Sequence, residues 1–353
     1  MVSVRPFEES DNATMLDIEK LCPQGNEKYA MGIDKRDIIA RYELYDNWKV
    51  LVAEEEGKVV GWIGWTVKHD PIQGETYVYF AEVMVHPEFR RKGIAARLNI
   101  EAEKNVRDIE SGYIYCYIIE QNDASQTLSE KLGYSNMGEF KSFAISVYKK
   151  TNMTQKFEIA RINKNDIPDV VNLINSFYTG RAHFIPYTSE SFESYVNGIP
   201  AYGLENFWVV KDGGKIVACA GLWDWSVLGD FCYIKVPFIW KVMRAVFGFL
   251  SLFSKMPKIP AEGEYFKTHY ITDHAFEPKS SDAMLNLIGH FNNILFDAKR
   301  DFFVVMLDPS DPLFEKIKKF KPQIDTMYVF AKALERELPE LNPLYIDIRD
   351  CIL

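Results

Sequence analysis

The sequence has few cysteines for its 353 residues: Cys22, Cys116, Cys219, Cys232 and Cys351, with no C-x-x-C pair among them. Scattered and odd in number, they predict reduced, mostly buried thiols rather than a disulfide framework. Basic excess is missing as well. The 41 lysines and arginines are outnumbered by 50 acids, giving a net charge of -9. A general nucleic-acid binder needs a broad basic face, so no nucleic-acid partner is expected. The opening residues, MVSVRPFEESD, hold no apolar core of a secretory signal, and the expectation is a cytoplasmic protein. No H-E-x-x-H, P-loop or G-x-S-x-G stretch occurs, and the six histidines are dispersed. No metal is therefore expected. One apolar run stands out, VPFIWKVMRAVFGFLSLF from Val236 to Phe253, but Lys241 and Arg244 interrupt it. It is short of the roughly 20 residues a spanning helix needs. Stable membrane insertion is not expected. The run has too much apolar surface to stay exposed on a soluble monomer, which predicts a helix packed on the body or on a partner chain and capping a cleft. An interfacial membrane helix is the alternative.

What is present is enough for two packed cores: 47% apolar residues, 14% aromatics, and a length that favours two domains. The chain also repeats itself. NWKVLVAEEEGKVVGWIGW from Asn47 and NFWVVKDGGKIVACAGLWDW from Asn206 both read as strand, glycine turn, strand, with Gly57-Lys58 matching Gly214-Lys215. Ahead of each lies an arginine-tipped strand, an acidic or polar cap and an apolar-periodic helix; after each comes an aromatic strand ending in Pro87 or Pro278. This order predicts an internal duplication, residues 1–150 and 156–353, joined near Lys149 to Lys156. Each half reads as α+β, a mixed and mostly antiparallel sheet flanked by helices. The second half carries the apolar insertion at about 231–262.

The halves differ at one turn. After the strand YVYFAEVMV the first half reads HPEFRRKGIAARL, His86 to Leu98. A strand running through a glycine turn into a helix presents free backbone N–H groups to an anion. Gly93 and Ala95 keep side chains out of the way, and Arg90, Arg91, Lys92 and Arg97 add positive charge. Either a nucleotide diphosphate or plain solvent suits such a turn. The second half reads KSSDAMLNL after Pro278, with no glycine, and its serines and Asp282 suit a helix N-cap.

The run Arg90-Arg91-Lys92-Gly93-Ile94-Ala95 resembles the acetyl-CoA signature of the GNAT superfamily of N-acetyltransferases, R/Q-x-x-G-x-G/A. EVMVHPEF before it resembles that family's fourth strand. NDASQTLSEKLGY, Asn122 to Tyr134, resembles its next motif. The resemblance covers residues 1–150 and reaches the second half through the duplication, as a tandem with a degenerate second half. It implies that acetyl-CoA is the co-substrate. The backbone of Val83, Met84 and Val85 would pair with the pantetheine amides, the amides from Arg91 to Ala95 would hold the pyrophosphate, and Asn122 would bond the pantetheine arm beside Ser125.

Direct attack on a thioester needs a neutral amine and an acid for the leaving thiolate. Glu82 is the candidate base; a cross-strand ion pair is the other reading of the same residue. Where relatives often carry the acidic tyrosine stands Ser129, a poor match for a thiolate, with Tyr115, Tyr117 and Tyr134 nearby in sequence. The expected function is an acyl-CoA-dependent N-acyltransferase acting on a small amine or a peptide amine, as a monomer or homodimer. The alternatives are a non-catalytic CoA-binding sensor and a longer-chain acyltransferase at a membrane surface.

Overall fold

The structure, a computed structural model, describes residues 2–70, 74–107, 109, 111–334 and 337–351. The first half contains β1 (Ser3–Pro6), α1 (Asn12–Lys20), β2 (Gln24–Gly25), β3 (Ala30–Lys35), β4 (Trp48–Glu55), β5 (Lys58–Asp70), β6 (Glu75–Val85), α2 (Ile94–Arg107), β7 (Tyr113–Ile119), α3 (Asp123–Lys131) and β8 (Ser135–Ser146). The second contains β9 (Glu158–Arg161), α4 (Ile167–Tyr178), α5 (Ser189–Gly198), β10 (Phe207–Asp212), β11 (Lys215–Asp224), β12 (Gly229–Lys235), α6 (Phe238–Leu250), β13 (Tyr265–Phe266), β14 (Thr268–Phe276), α7 (Ser281–Asp297), β15 (Phe302–Leu307) and β16 (Gln323–Ala333).

Local chemistry explains the repeated elements. Glu8 and Asp11 form a capping box before α1, and Asn163 and Asp166 form one before α4. Gly57 and Gly214 close the two hairpins with positive φ, 76° and 85°, which other residues adopt at a cost. In α2, Ile94, Leu98, Ala102 and Val106 recur every fourth residue and are all buried against the sheet.

The halves are not separate sheets. One twelve-stranded sheet runs in the order β1-β4-β5-β6-β7-β16-β8-β15-β14-β11-β10-β9. Each half gives its last strand to the other: β16 pairs with β7 from Met327↔Ile119 to Ala333↔Tyr113, and β8 pairs with β15 from Phe302↔Ser146 to Leu307↔Lys141. β8 and β16 pair with each other at the centre. The change of half at residues 150–156 is thus a boundary in sequence that the sheet crosses. Every neighbouring pair is antiparallel except β6–β7 and β14–β15, which sit at equivalent places in the two halves. α2 and α7 cover one face of the sheet; α1, α4 and α5 cover the other.

The apolar insertion begins as expected and ends otherwise. β12 joins a small four-stranded sheet, β13-β12-β3-β2, by pairing with β3 of the first half. α6 follows but does not bury itself on the body: Phe238 is 78% and Phe249 64% exposed, and none of its residues is buried. The expectation that this helix packs on the body of its own chain is corrected. β12 is the part that packs, and it does so because its backbone finds a partner in β3; only Trp240 of α6 lies against Tyr29 and Tyr233.

The interleaved sheet makes a prediction. Residues 1–150 expressed alone should lack the strand that covers β7 and should aggregate or remain unfolded. Co-expression with residues 151–353 should restore one cooperative melting transition. An isolated 1–150 fragment that is monomeric and melts cooperatively would contradict this.

Candidate active site

β6 and β7 run together for only three registered pairs, Tyr77↔Tyr113, Val78↔Ile114 and Tyr79↔Tyr115. Beyond Tyr79, β6 stays on β5, from Gly64↔Glu82 to Gly61↔Val85, with a bulge between Gly64 and Trp65. β7 stays on β16. A wedge therefore opens between Ala81–Val85 and Cys116–Ile119. The expected pantetheine-pairing residues, Val83, Met84 and Val85, line it. The Val85 carbonyl already accepts from Arg90 Nε at 3.1 Å and Cys22 Sγ at 3.4 Å.

The wedge opens onto the glycine turn. Arg91 (φ 63°) and Gly93 (φ 79°) bend the chain, and α2 starts at Ile94. Among the described residues, nothing accepts from the backbone amides of 91–96. A methyl placed on Gly93 would meet no atom within 4 Å, so the approach over it is open. Arg91, Lys92 and Arg97 are exposed around it. Arg90 is different: its guanidinium folds back to the Val85 carbonyl and to Cys22 Sγ, at 3.1 Å, and holds the end of β6. On the far side of the wedge, Asn122 caps α3 through Oδ1 and the Ser125 amide, at 3.3 Å. Its Nδ2 has no partner among the described residues.

Glu82 does not stand free to collect a proton. Its carboxylate is buried and paired with Lys35 and with Arg41 Nη1, at 2.5 Å; Trp62 Nε1 lies 3.4 Å and the Tyr42 hydroxyl 3.5 Å from its other oxygen. Burial alone would push this carboxyl up, but Lys35 and Arg41 outweigh it and hold it down at about 2. This is the ion-pair reading of the position. Lys35 also reaches Glu19, at 3.3 Å. Glu19 is buried, its Oε2 has no hydrogen-bond partner among the described residues, and burial pushes its carboxyl up to about 7 against the pull of Lys35. Two carboxyls sharing one lysine thus sit on opposite sides of the ordinary value. No sequence feature marked Glu19, Lys35 or Arg41.

The tyrosines separate equally clearly. Tyr115 donates to Asp350 at 2.7 Å. Tyr117, on the same face of β7, points a buried hydroxyl with no hydrogen-bond partner among the described residues, as does Tyr134 in the core under α2. Ser129 lies beside the buried Cys116 thiol, which burial pushes up to about 12.

The second half has the same wedge, filled. β14 and β15 pair only at Thr268↔Phe302, His269↔Phe303 and Tyr270↔Val304. The C-terminal segment then passes through the gap: the Ala182 amide donates to Pro343, the Tyr345 amide to Ala182, and the Leu344 amide to Asp308 at 3.1 Å. A cavity of about 20 Å³ remains, lined by Thr272, Asp273, His274, Met306, Leu344 and Ile346 among others. That is room for about one water molecule. The expected serine cap on α7 is also corrected. Ser280 makes no side-chain cap, because its backbone carbonyl takes the Ala283 and Met284 amides. Counting back five residues from Pro87 and Pro278 makes Glu82 and Asp273 equivalent. Asp273 (φ 45°) meets tyrosines rather than cations, accepting from Tyr345 at 2.6 Å and Tyr195 at 3.0 Å. Burial pushes its carboxyl up, against the Tyr345 hydrogen bond. His274 is buried with Nε2 3.1 Å from Asp311. The same C-terminal segment continues to the first half, where Asp350 accepts from Lys68 Nζ at 2.6 Å and the Tyr79 hydroxyl donates to its carbonyl at 2.5 Å.

Comparison with known proteins agrees with this geometry. A family model of the acetyltransferase (GNAT) family matches residues 13–134. An acetyltransferase of Photorhabdus laumondii is 32% identical over 135 residues, 38% of this chain and 87% of that protein. Among solved structures, a tandem GNAT protein from the clavulanic acid biosynthesis pathway matches with a TM-score of 0.61 at 10% identity, over 94% of this chain and 98% of that one. The N-myristoyltransferase of Saccharomyces cerevisiae with bound myristoyl-CoA matches at 0.59 and 14%, over 94% and 79%. A glucosamine N-acetyltransferase region of a fungal multi-domain β-N-acetylglucosaminidase matches at 0.62 and 12%, over 94% of this chain; the chain spans 38% of that protein.

The paired glutamates predict opposite stability effects. Glu82, held below the ordinary value of 4.5, contributes stability that is present above that value and lost as pH falls toward 2. Glu19, held above it, favours the fold as the neutral acid, and that contribution is lost as pH rises through 7. At pH 8, Glu82→Gln should cost roughly 3–5 kcal/mol by leaving buried cations unpaired. Glu19→Gln should be stabilising at pH 8 and close to neutral at pH 5. Urea unfolding at both pH values checks this; a Glu19→Gln variant that loses stability as pH rises would contradict it.

Proposed function

The chain belongs to the acetyltransferase (GNAT) family, and from that premise we propose that it transfers an acyl group, acetyl in the first instance, from coenzyme A to an amine by direct attack in a ternary complex. The observation that carries the reading is the open β6–β7 wedge leading onto the unpartnered amides of the glycine turn. Pantetheine would lie along Val83–Val85, the pyrophosphate on residues 91–95, and Asn122 Nδ2 would meet the pantetheine arm. No residue forms a covalent intermediate: the amine nitrogen attacks the thioester carbon, the C–S bond breaks, and an amide and a thiol leave.

Two protons must be handled. The ammonium proton has to leave before attack. We assign its uptake to the buried Glu19–Lys35–Glu82 group, with Glu19 the member that titrates near neutrality and Glu82 the anchor that holds Lys35 in place. The leaving thiolate needs a proton, and Tyr117, whose hydroxyl is otherwise unpartnered at the wedge, is the candidate donor in place of Ser129. Only the first half takes coenzyme A in this reading, because the C-terminal segment occupies the second wedge.

Calorimetric titration of the full chain with acetyl-CoA should give one site, and Gly93→Asp should remove it; the side chain meets no atom, so the variant should stay folded and lose only about 1 kcal/mol to the positive φ of 79°. Thiol release with acetyl-CoA across a panel of polyamines, amino acids, aminosugars and peptides should reveal turnover, and Glu19→Gln should remove the limb of its pH profile near neutrality. Two sites of similar strength would overturn the single-site reading. Tight binding with no turnover on any amine would replace the enzyme with a CoA-binding sensor.

A further inference from the structure

Many of the exposed large apolar side chains among the described residues lie on α6 and just beyond it. Along α6, Phe238, Ile239, Val242, Val246, Phe249 and Leu250 are all exposed, and Leu252 and Phe253 just beyond it are 74% and 76% exposed. At 100° per residue the six helical side chains fall on one side, with Lys241 and Arg244 on the opposite side. Trp240, between these two faces, is the side chain that roots the helix, edge-on to Tyr29 and Tyr233 with centroids 5.8 and 5.5 Å away. A contiguous apolar face of this kind on a folded chain marks a surface with an occupant.

Charge identifies the occupant. From Lys235 to Lys258 the sequence holds five cations, Lys235, Lys241, Arg244, Lys255 and Lys258, and no acid, in a chain of net charge -9. Lys241 and Lys258 are tied to Glu262 and Glu264. Lys235, Arg244 and Lys255 have no carboxylate within ion-pair distance among the described residues. A second copy would bring no acid to pair with these cations, since a two-fold interface opposes the same patch to itself. A lipid surface with anionic headgroups satisfies both features: the apolar stripe enters the acyl boundary, and the cations stay with the headgroups. Thirteen residues cannot span a bilayer, and no helix of the described residues is long and apolar enough to cross one, so the helix would lie in the plane.

We propose that α6 and the following residues 251–258 are an interfacial element that docks the protein on an anionic lipid surface. Its root, β12, pairs with β3, and β3 carries Lys35 to Glu82, so docking would set the acceptor side of the first wedge at a fixed orientation to that surface. The docking itself does not depend on the acyl-transfer reading.

Co-sedimentation of the full chain with vesicles of phosphatidylcholine alone, and of phosphatidylcholine mixed with phosphatidylglycerol, tests this. Binding is expected to the mixed vesicles only and to weaken as salt rises. The double variant Val246→Ser/Phe249→Ser should lose about tenfold or more in binding while keeping the melting temperature, because both side chains are exposed. Arg244→Ser/Lys255→Ser should weaken binding and abolish the preference for anionic lipid. Failure to pellet with mixed vesicles, equal pelleting with both kinds, or a concentration-dependent dimer by light scattering that Val246→Ser/Phe249→Ser dissolves would each overturn the proposal.

Discussion

The hydrogen bonds between β16 and β7 hold the architecture together. They close the first half's sheet with a strand from the other end of the chain, and β8 does the same for the second half. Both wedges depend on this. β7 can part from β6 after Tyr79 because its other edge is already paired; without β16 it would be bare on both sides beyond that point. The exchange also decides where the chain goes next. Having crossed into the first half as β16, it returns over the second wedge and brings Asp350 to Tyr79 and Tyr115, so the same connection fills one wedge and reaches the strands of the other.

The two wedges make an internal comparison. Glu82 and Asp273 hold equivalent positions beside a strand bulge, and their surroundings differ in kind. Two cations keep Glu82 ionised. Two tyrosine hydroxyls accept the burial of Asp273 at the cost of a raised carboxyl pKa. Full pairing of a buried charge makes it a poor proton acceptor, because the partners that stabilise the anion must be given up when it is neutralised. In the acyl transfer proposed above, proton uptake would fall to the carboxyl that the same lysine stabilises less, Glu19.

Local features were legible in the sequence. The hairpins, the capping boxes and the glycine turn are each written within a few residues, and counting from the prolines aligns the halves. The strand exchange was not legible: the apolar run Met327–Ala331 suits a strand, but it does not say that Ile119 is its neighbour. Lys35 and Arg41 sit in a stretch with no repeat or motif, so the partners of Glu82 emerge only when β3 folds beneath it. The C-terminal segment reads as an ordinary polar-apolar tail, and its place in the second wedge is a tertiary fact. For α6 the apolar content was plain, and the wrong inference was that apolar content implies burial against the body of the same chain.

The central claim is that one wedge is open to coenzyme A and the other is closed by the chain itself. Hydrogen–deuterium exchange of the full chain with and without acetyl-CoA tests it most directly. The account predicts that protection rises in residues 83–96 and around Asn122, while residues 271–284 and 341–348 exchange at the same rate in both samples. Protection gained at 271–284, or faster exchange at 341–348 on adding acetyl-CoA, would mean that the segment leaves the second wedge and that the division between the halves is not as described.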